Sequence, residues 1–122
     1  MTIWEKIQTT LEENGIPTYP PGAYQGECKG NYVVLKQSGS IQVSRFTSEY
    51  DYYDFILYVP INKYHELSSF EAEVKRVLDE NLFPLLVPYG QNTPDYIDDE
   101  RNAHMRSFMY RNVKRNKHLQ PH

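Results

Sequence analysis

The residues of this 122-residue chain best equipped for chemistry are its acids, its four histidines and its single cysteine. The densest acid group is Asp95, Asp98, Asp99 and Glu100, with His104 close behind. Carboxylate oxygens and an imidazole nitrogen are competent ligands for divalent cations. The spacing, however, is not that of a calcium loop, which requires a glycine at its sharp turn, so the stretch reads as a solvated acidic loop and not as a metal site. Cys28 paired with a histidine would be a nucleophilic dyad. The flanking Gly26-Glu27-Cys28-Lys29-Gly30 matches no nucleophile motif, and nothing in the chain positions a histidine as its base. Gly22, Gly26 and Gly30 do not precede a helix and so form no phosphate cradle. No nucleophile, base and oxyanion donor converge, and the expectation is a protein that is not an enzyme and uses no cofactor or metal.

The bulk properties agree. A net charge of −3 gives no general case for nucleic-acid or anionic-membrane binding, and one cysteine excludes an internal disulfide framework and a cysteine-based zinc finger. No apolar run approaches the length that spans a bilayer, and the N-terminus lacks a signal-peptide pattern. Tyrosine is the outlier, with 11 residues. Its ring suits surfaces that are packed at one end and wet at the other, so the excess fits either a protein–protein surface or the margins of the core.

The elements that would position these residues centre on 50–81. Tyr52 to Val59 is the longest β-favouring run, and alternation divides it into Tyr53, Phe55, Leu57, Val59 on one face and Tyr52, Asp54, Ile56, Tyr58 on the other. The first set predicts a fully buried face, the second a face covered in part, and Pro60 ends the strand. Ser68-Ser69-Phe70-Glu71 has capping-box spacing ahead of a helical stripe of Phe70, Val74, Val77, Leu78 and Asn81. Upstream, Thr2-Ile3-Trp4-Glu5 caps a helix carrying Ile3, Trp4, Ile7 and Leu11, which Gly15 closes and Pro17 keeps from restarting. Residues 16–22 must be extended and turn-like because of their prolines. Tyr32 to Lys36 predicts a strand, Lys36 to Ser40 its turn, and Ile41 to Arg45 its hairpin partner. Leu82 to Pro88 reads as irregular or edge structure, residues 89–101 as the least regular part, Ala103 to Val113 as a last strand, and the nine residues 114–122 as a flexible basic tail. The predicted fold is α+β: a mixed or mainly antiparallel sheet of about four to five strands with two main helices packed against it, in one domain over 1–113.

Several pieces, in order, carry a resemblance: Ile3-Trp4-Glu5-Lys6-Ile7, Gly15-Ile16-Pro17, Tyr19-Pro20-Pro21-Gly22, Gly26-Glu27-Cys28 and Tyr32-Val33-Val34, then Tyr53-Asp54, Tyr58-Val59-Pro60, Thr93-Pro94-Asp95, Asp98-Asp99 and Ala103-His104-Met105 up to Tyr110-Arg111. Together they resemble the tail-terminator, or tail-completion, proteins encoded in the neck region of long-tailed phages, prophages and contractile bacteriocin particles. The resemblance implies an α/β body, no catalytic residues, and a structural role. Copies form a ring, usually hexameric, on the last ring of tail-tube subunits; this ends tube polymerisation and offers the collar or head-joining surface. The implied partners are further copies of the chain, the tail-tube protein, and a sheath or head-connector protein, with no membrane and no specific nucleic acid. The implied location is the bacterial host cytoplasm during assembly and the particle thereafter. A head-completion or stopper protein of the neck and an unrelated small protein-binding module are the competing classes.

For a ring subunit, the contacts are expected in the Pro17 to Gly30 and Gln91 to Arg101 segments and in the tail. The candidate interface residues are Tyr19, Tyr24, Tyr89, Asp95, Tyr96, Asp98, Asp99, Arg101, Lys114, Arg115 and Lys117. An acidic loop and a basic tail either complement each other across a heterologous interface or are independently solvated.

Overall fold

The structure, a computed structural model, describes residues 1–42, 48–90 and 93–115. Helix α1 spans Ile3–Glu13, and its capping box is formed: Glu5 N–H donates to Thr2 Oγ1 and Thr2 N–H donates to Glu5 Oε1, both at 3.1 Å. At its other end Gly15 sits at φ 79°, which lets the Gly15 and Ile16 amides turn back onto the Glu12 and Leu11 carbonyls. The chain then runs through β1 (Thr18–Tyr19), β2 (Tyr32–Gln42), β3 (Ser48–Pro60), a 3-10 turn (Ile61–Glu66), α2 (Leu67–Leu82), β4 (Leu86–Tyr89), β5 (Tyr96–Asp98) and β6 (Ala103–Arg115).

These strands make a six-stranded sheet in the order β1-β2-β3-β6-β4, with β5 also on β6. All pairings are antiparallel except β1 with β2. The fold is α+β with two helices on a mainly antiparallel sheet, as predicted. The strand count exceeds the expectation because β1 and β5 are short strands within segments whose sequence predicts extended or irregular structure.

Alternation along β3 divides the molecule as its sequence predicts. Tyr53, Phe55, Leu57 and Val59 lie in one core with Val33, Leu35, Phe108 and Tyr110 from neighbouring strands, Ile7 and Leu11 of α1, and Phe70, Val74, Val77 and Leu78 of α2. Among the described residues the opposite face carries no helix. At one end of it Tyr32, Tyr58 and Ala103 pack with Cys28 from the loop after β1. The β1 edge is closed by α1: Trp4 Nε1 donates to the Leu35 carbonyl at 2.9 Å and Gln8 Nε2 to the Thr18 carbonyl at 2.9 Å.

Four local expectations are corrected. Residues 36–40 are not a turn, because β2 runs on to Gln42 opposite Glu49. The register shifts between Gln37 and Gly39, with Gly39 at φ 137°, so the glycine serves a bulge within the strand. A bulge and a turn make the same demand for a positive-φ residue. The connection from β2 to β3, and with it Val43 to Arg45 of the expected partner strand, lies outside the described residues. Ser68 does not cap α2. The 3-10 turn already holds Glu66 in helical conformation, so the helix starts earlier, and Glu71 is engaged by Lys75 and Arg106. Asn81 is exposed and gives its place on the stripe to Leu82, while its amide donates to the Val77 carbonyl. At the C-terminal end, the β6 backbone continues through Lys114 and Arg115, opposite Glu49 and Ser48. Residues 116–122, including Lys117, lie outside the described residues. Among the described residues no helix is long and apolar enough to cross a membrane.

Candidate protein-interaction surfaces

Parts of the two loop segments expected to make contacts meet on one surface. The loop after β1 is tied to the β5–β6 turn by the Cys28 amide, which donates to the Arg101 carbonyl at 2.7 Å. Arg101 ties them a second time, through Nη2 to the Tyr24 carbonyl at 3.3 Å and Nη1 to Asp98 Oδ2 at 3.2 Å. Behind this staple runs a ladder of rings. Tyr24 stacks on Tyr32 at 4.3 Å, Tyr32 on Tyr58 at 4.8 Å, and Tyr19 leans on Tyr24 at 5.3 Å. Each stacked ring fixes the next, so a proline- and glycine-rich loop becomes a stiff surface. Burial pushes the Tyr32 phenol well above its ordinary range, and its hydroxyl has no hydrogen-bond partner among the described residues. An open groove of about 590 Å³ lined by Gly22, Gln25, Gly26, Glu100 and Arg101 crosses this end.

The acids do not converge. Asp95 faces Arg106, whose Nε and Nη2 reach its two oxygens at 2.6 and 2.9 Å, and it also accepts from the Tyr64 hydroxyl at 2.6 Å. Arg106 above all, then Tyr64, holds the Asp95 carboxyl down at about 2. Arg106 also reaches Glu71 at 2.9 Å and Ser68 at 3.0 Å, so the pair clamps the segment before β5 onto α2. Asp98 belongs to Arg101, and His104 Nε2 lies 3.0 Å from the Ile61 carbonyl. Asp99 and Glu100 stay exposed at the turn. Among the described residues no group of three or more histidine, cysteine or acidic side chains is placed to hold a metal. Cys28 is buried, with Sγ 3.1 Å from the Gly30 carbonyl, and burial pushes its thiol up, which disfavours the nucleophilic thiolate.

The predicted contact residues therefore divide. Tyr19, Tyr24, Asp98 and Arg101 build the stapled end; Asp99 belongs to the same turn. Asp95 serves the internal clamp. Tyr96 is 54% exposed on β5. Lys114 and Arg115 contribute strand backbone. Tyr89 lies on the edge strand β4 at the other end of the open face, in a second cluster that the sequence reading did not assemble. There the Arg111 guanidinium lies 4.4 Å from the Tyr50 ring centre and 5.1 Å from that of Tyr89, with the Tyr52 and Tyr89 rings 4.8 Å apart. The Tyr50, Tyr52 alternation puts both rings on one face, but Arg111 joins them only through the β3–β6 register, Tyr52 opposite Arg111. Arg106 escaped for the same reason, since its partners come from the helix and from the segment before β5.

A scan of protein-family models finds none that matches this chain, and a search of curated proteins finds no match either.

Proposed function

We propose that this chain is a structural subunit of a phage tail or tail-like particle. In this reading its copies form a six-fold ring on the end of the tail tube, stop tube polymerisation and present the collar or head-joining surface. The observation that carries the reading is the one-sided sheet. Its helical face is filled, and its other face is free of helices among the described residues, tyrosine-rich, and flanked by a loop surface locked by Arg101. A ring subunit needs that combination of a rigid body and pre-shaped contact surfaces, because a closed ring tolerates little change in the angle between neighbours. The ordered sequence pieces that resemble tail terminators suggest the particular assembly. Lateral contacts that are weak in isolation become effective on a tube end, which supplies a high local concentration of neighbours.

Deletion of the gene from its parent cluster is the test. Tubes of irregular or excessive length are the expected result. Normal tubes with unattached heads assign the stopper role instead, and normal complete particles overturn both.

A further inference from the structure

A ring built from identical subunits joins two different patches of the surface, one on each side of every contact. The stapled loop end, built from Tyr24 and Cys28 of one segment expected to touch neighbours and Asp98 and Arg101 of the other, supplies one patch, so the complementary patch lies elsewhere. We propose that the Tyr50–Tyr52–Tyr89–Arg111 cluster is that second patch and that it receives the Asp99–Glu100 turn of a second copy of this chain. The proposal rests on the ring reading above.

Arg111 is set apart by what it lacks. Of the arginines whose side chains are described, Arg76, Arg101 and Arg106 each meet a carboxylate. Arg111 meets two rings and the Tyr52 phenol, no ion pair reaches it from the described residues, and its buried Nε has no hydrogen-bond partner. Stacking between Tyr50 and Tyr89 holds the guanidinium plane still, which lowers the entropic cost of binding a carboxylate through two parallel hydrogen bonds. Tyr89 is 40% exposed and Arg111 is half-buried, so the cluster is reachable from solvent. Clustered tyrosines around an arginine are the composition of interface hot spots.

The occupant follows from charge. Asp99 and Glu100 are adjacent, exposed, and without an ion pair among the described residues, at the turn that opens β6. Arg111 lies nine residues beyond Asn102 along β6, roughly 30 Å away at strand rise. The two groups cannot meet within one subunit. They meet when successive copies are arranged head to tail.

Charge exchange tests the contact. The full-length protein is studied by sedimentation at low ionic strength and up to about 1 mM, near the effective concentration a tube end supplies. Arg111→Glu and the pair Asp99→Lys/Glu100→Lys are each expected to weaken self-association by about tenfold or more, since each faces like charge with like. An equal mixture of the two variants restores association, because every contact in an alternating assembly again pairs opposite charges. Should Arg111→Glu not fold by circular dichroism, Arg111→Gln replaces it: it weakens the wild type but weakens the Lys/Lys variant no further. Wild-type protein that stays monomeric, a Lys/Lys variant that associates like wild type, a folded mixture that does not recover, or additive losses with Arg111→Gln each overturn the contact. In the last three cases self-association persists or weakens without this pairing, which points the Arg111 cluster to an acidic segment of a different particle protein. Failure of the ring reading itself appears separately, as normal particles after gene deletion.

Discussion

Phe55→Ala probes the asymmetry of the sheet on which the functional reading depends. Phe55 is fully buried, stacks on Phe108 at 5.2 Å and meets the edge of Tyr110 at 5.5 Å. Removing the ring forfeits about 2–3 kcal/mol of burial and about 1 kcal/mol of aromatic pairing. With the cavity left between sheet and helices, the expected loss is about 3–5 kcal/mol. For a chain of this size that lowers the urea midpoint by about 2 M, at an m-value in the ordinary range. The control is Met109→Ala, a half-buried residue opposite Asp54 on the helix-free face. Half-buried where Phe55 is fully buried, it has less burial to lose, and its expected cost is below about 1.5 kcal/mol. Equilibrium unfolding followed by far-ultraviolet circular dichroism measures both. A Phe55→Ala midpoint within about 0.5 M of wild type, or an equal shift for Met109→Ala, refutes the division into one filled and one open face.

The Asp95–Arg106 clamp predicts an acid limb. The folded Asp95 pKa, about 2, lies below its unfolded value, so the stabilisation is complete above about pH 4 and is lost as pH falls toward 2. After discounting for solvent screening, Asp95→Asn should cost about 1 kcal/mol at pH 7 and little at pH 2, as thermal unfolding at the two pH values will read; an equal loss at both contradicts it. Cys28 should react with iodoacetamide at pH 7 about 100-fold or more slower than a free thiol, and faster in urea, because its burial must be opened first; reaction at the free-thiol rate contradicts the buried, protonated state. Chelator should leave the melting temperature unchanged, and a saturable rise with added calcium or magnesium would reopen the metal reading of the acidic turn.

What the sequence made legible was what period and end signals encode locally. Alternation in Tyr52 to Val59 assigned both faces of β3 correctly, and Thr2, Glu5 and Gly15 marked both ends of α1. Misreadings arose where one local signal serves two structures. Gly39 could turn a hairpin or relieve a bulge, and Ser68-Ser69-Phe70-Glu71 could cap a helix or sit inside one already begun by a 3-10 turn. The partners that define the surfaces are separated by tens of residues. Asp95 was legible as an exposed acid, but its neutralisation by Arg106 depends on how β6 lies beside the preceding segment and α2. Tyr89 was legible as a candidate contact, but the cluster around Arg111 needs the register of three strands.

The central claim, that this chain caps a tube as a ring, is met most directly by imaging purified parent particles by electron cryomicroscopy and locating this subunit in the density. A single six-fold ring of the chain at one end of the tail tube, with the helix-covered face of each sheet intact, is the expected result. Particles in which the chain is absent, or lies along the tube or elsewhere in the particle, contradict it.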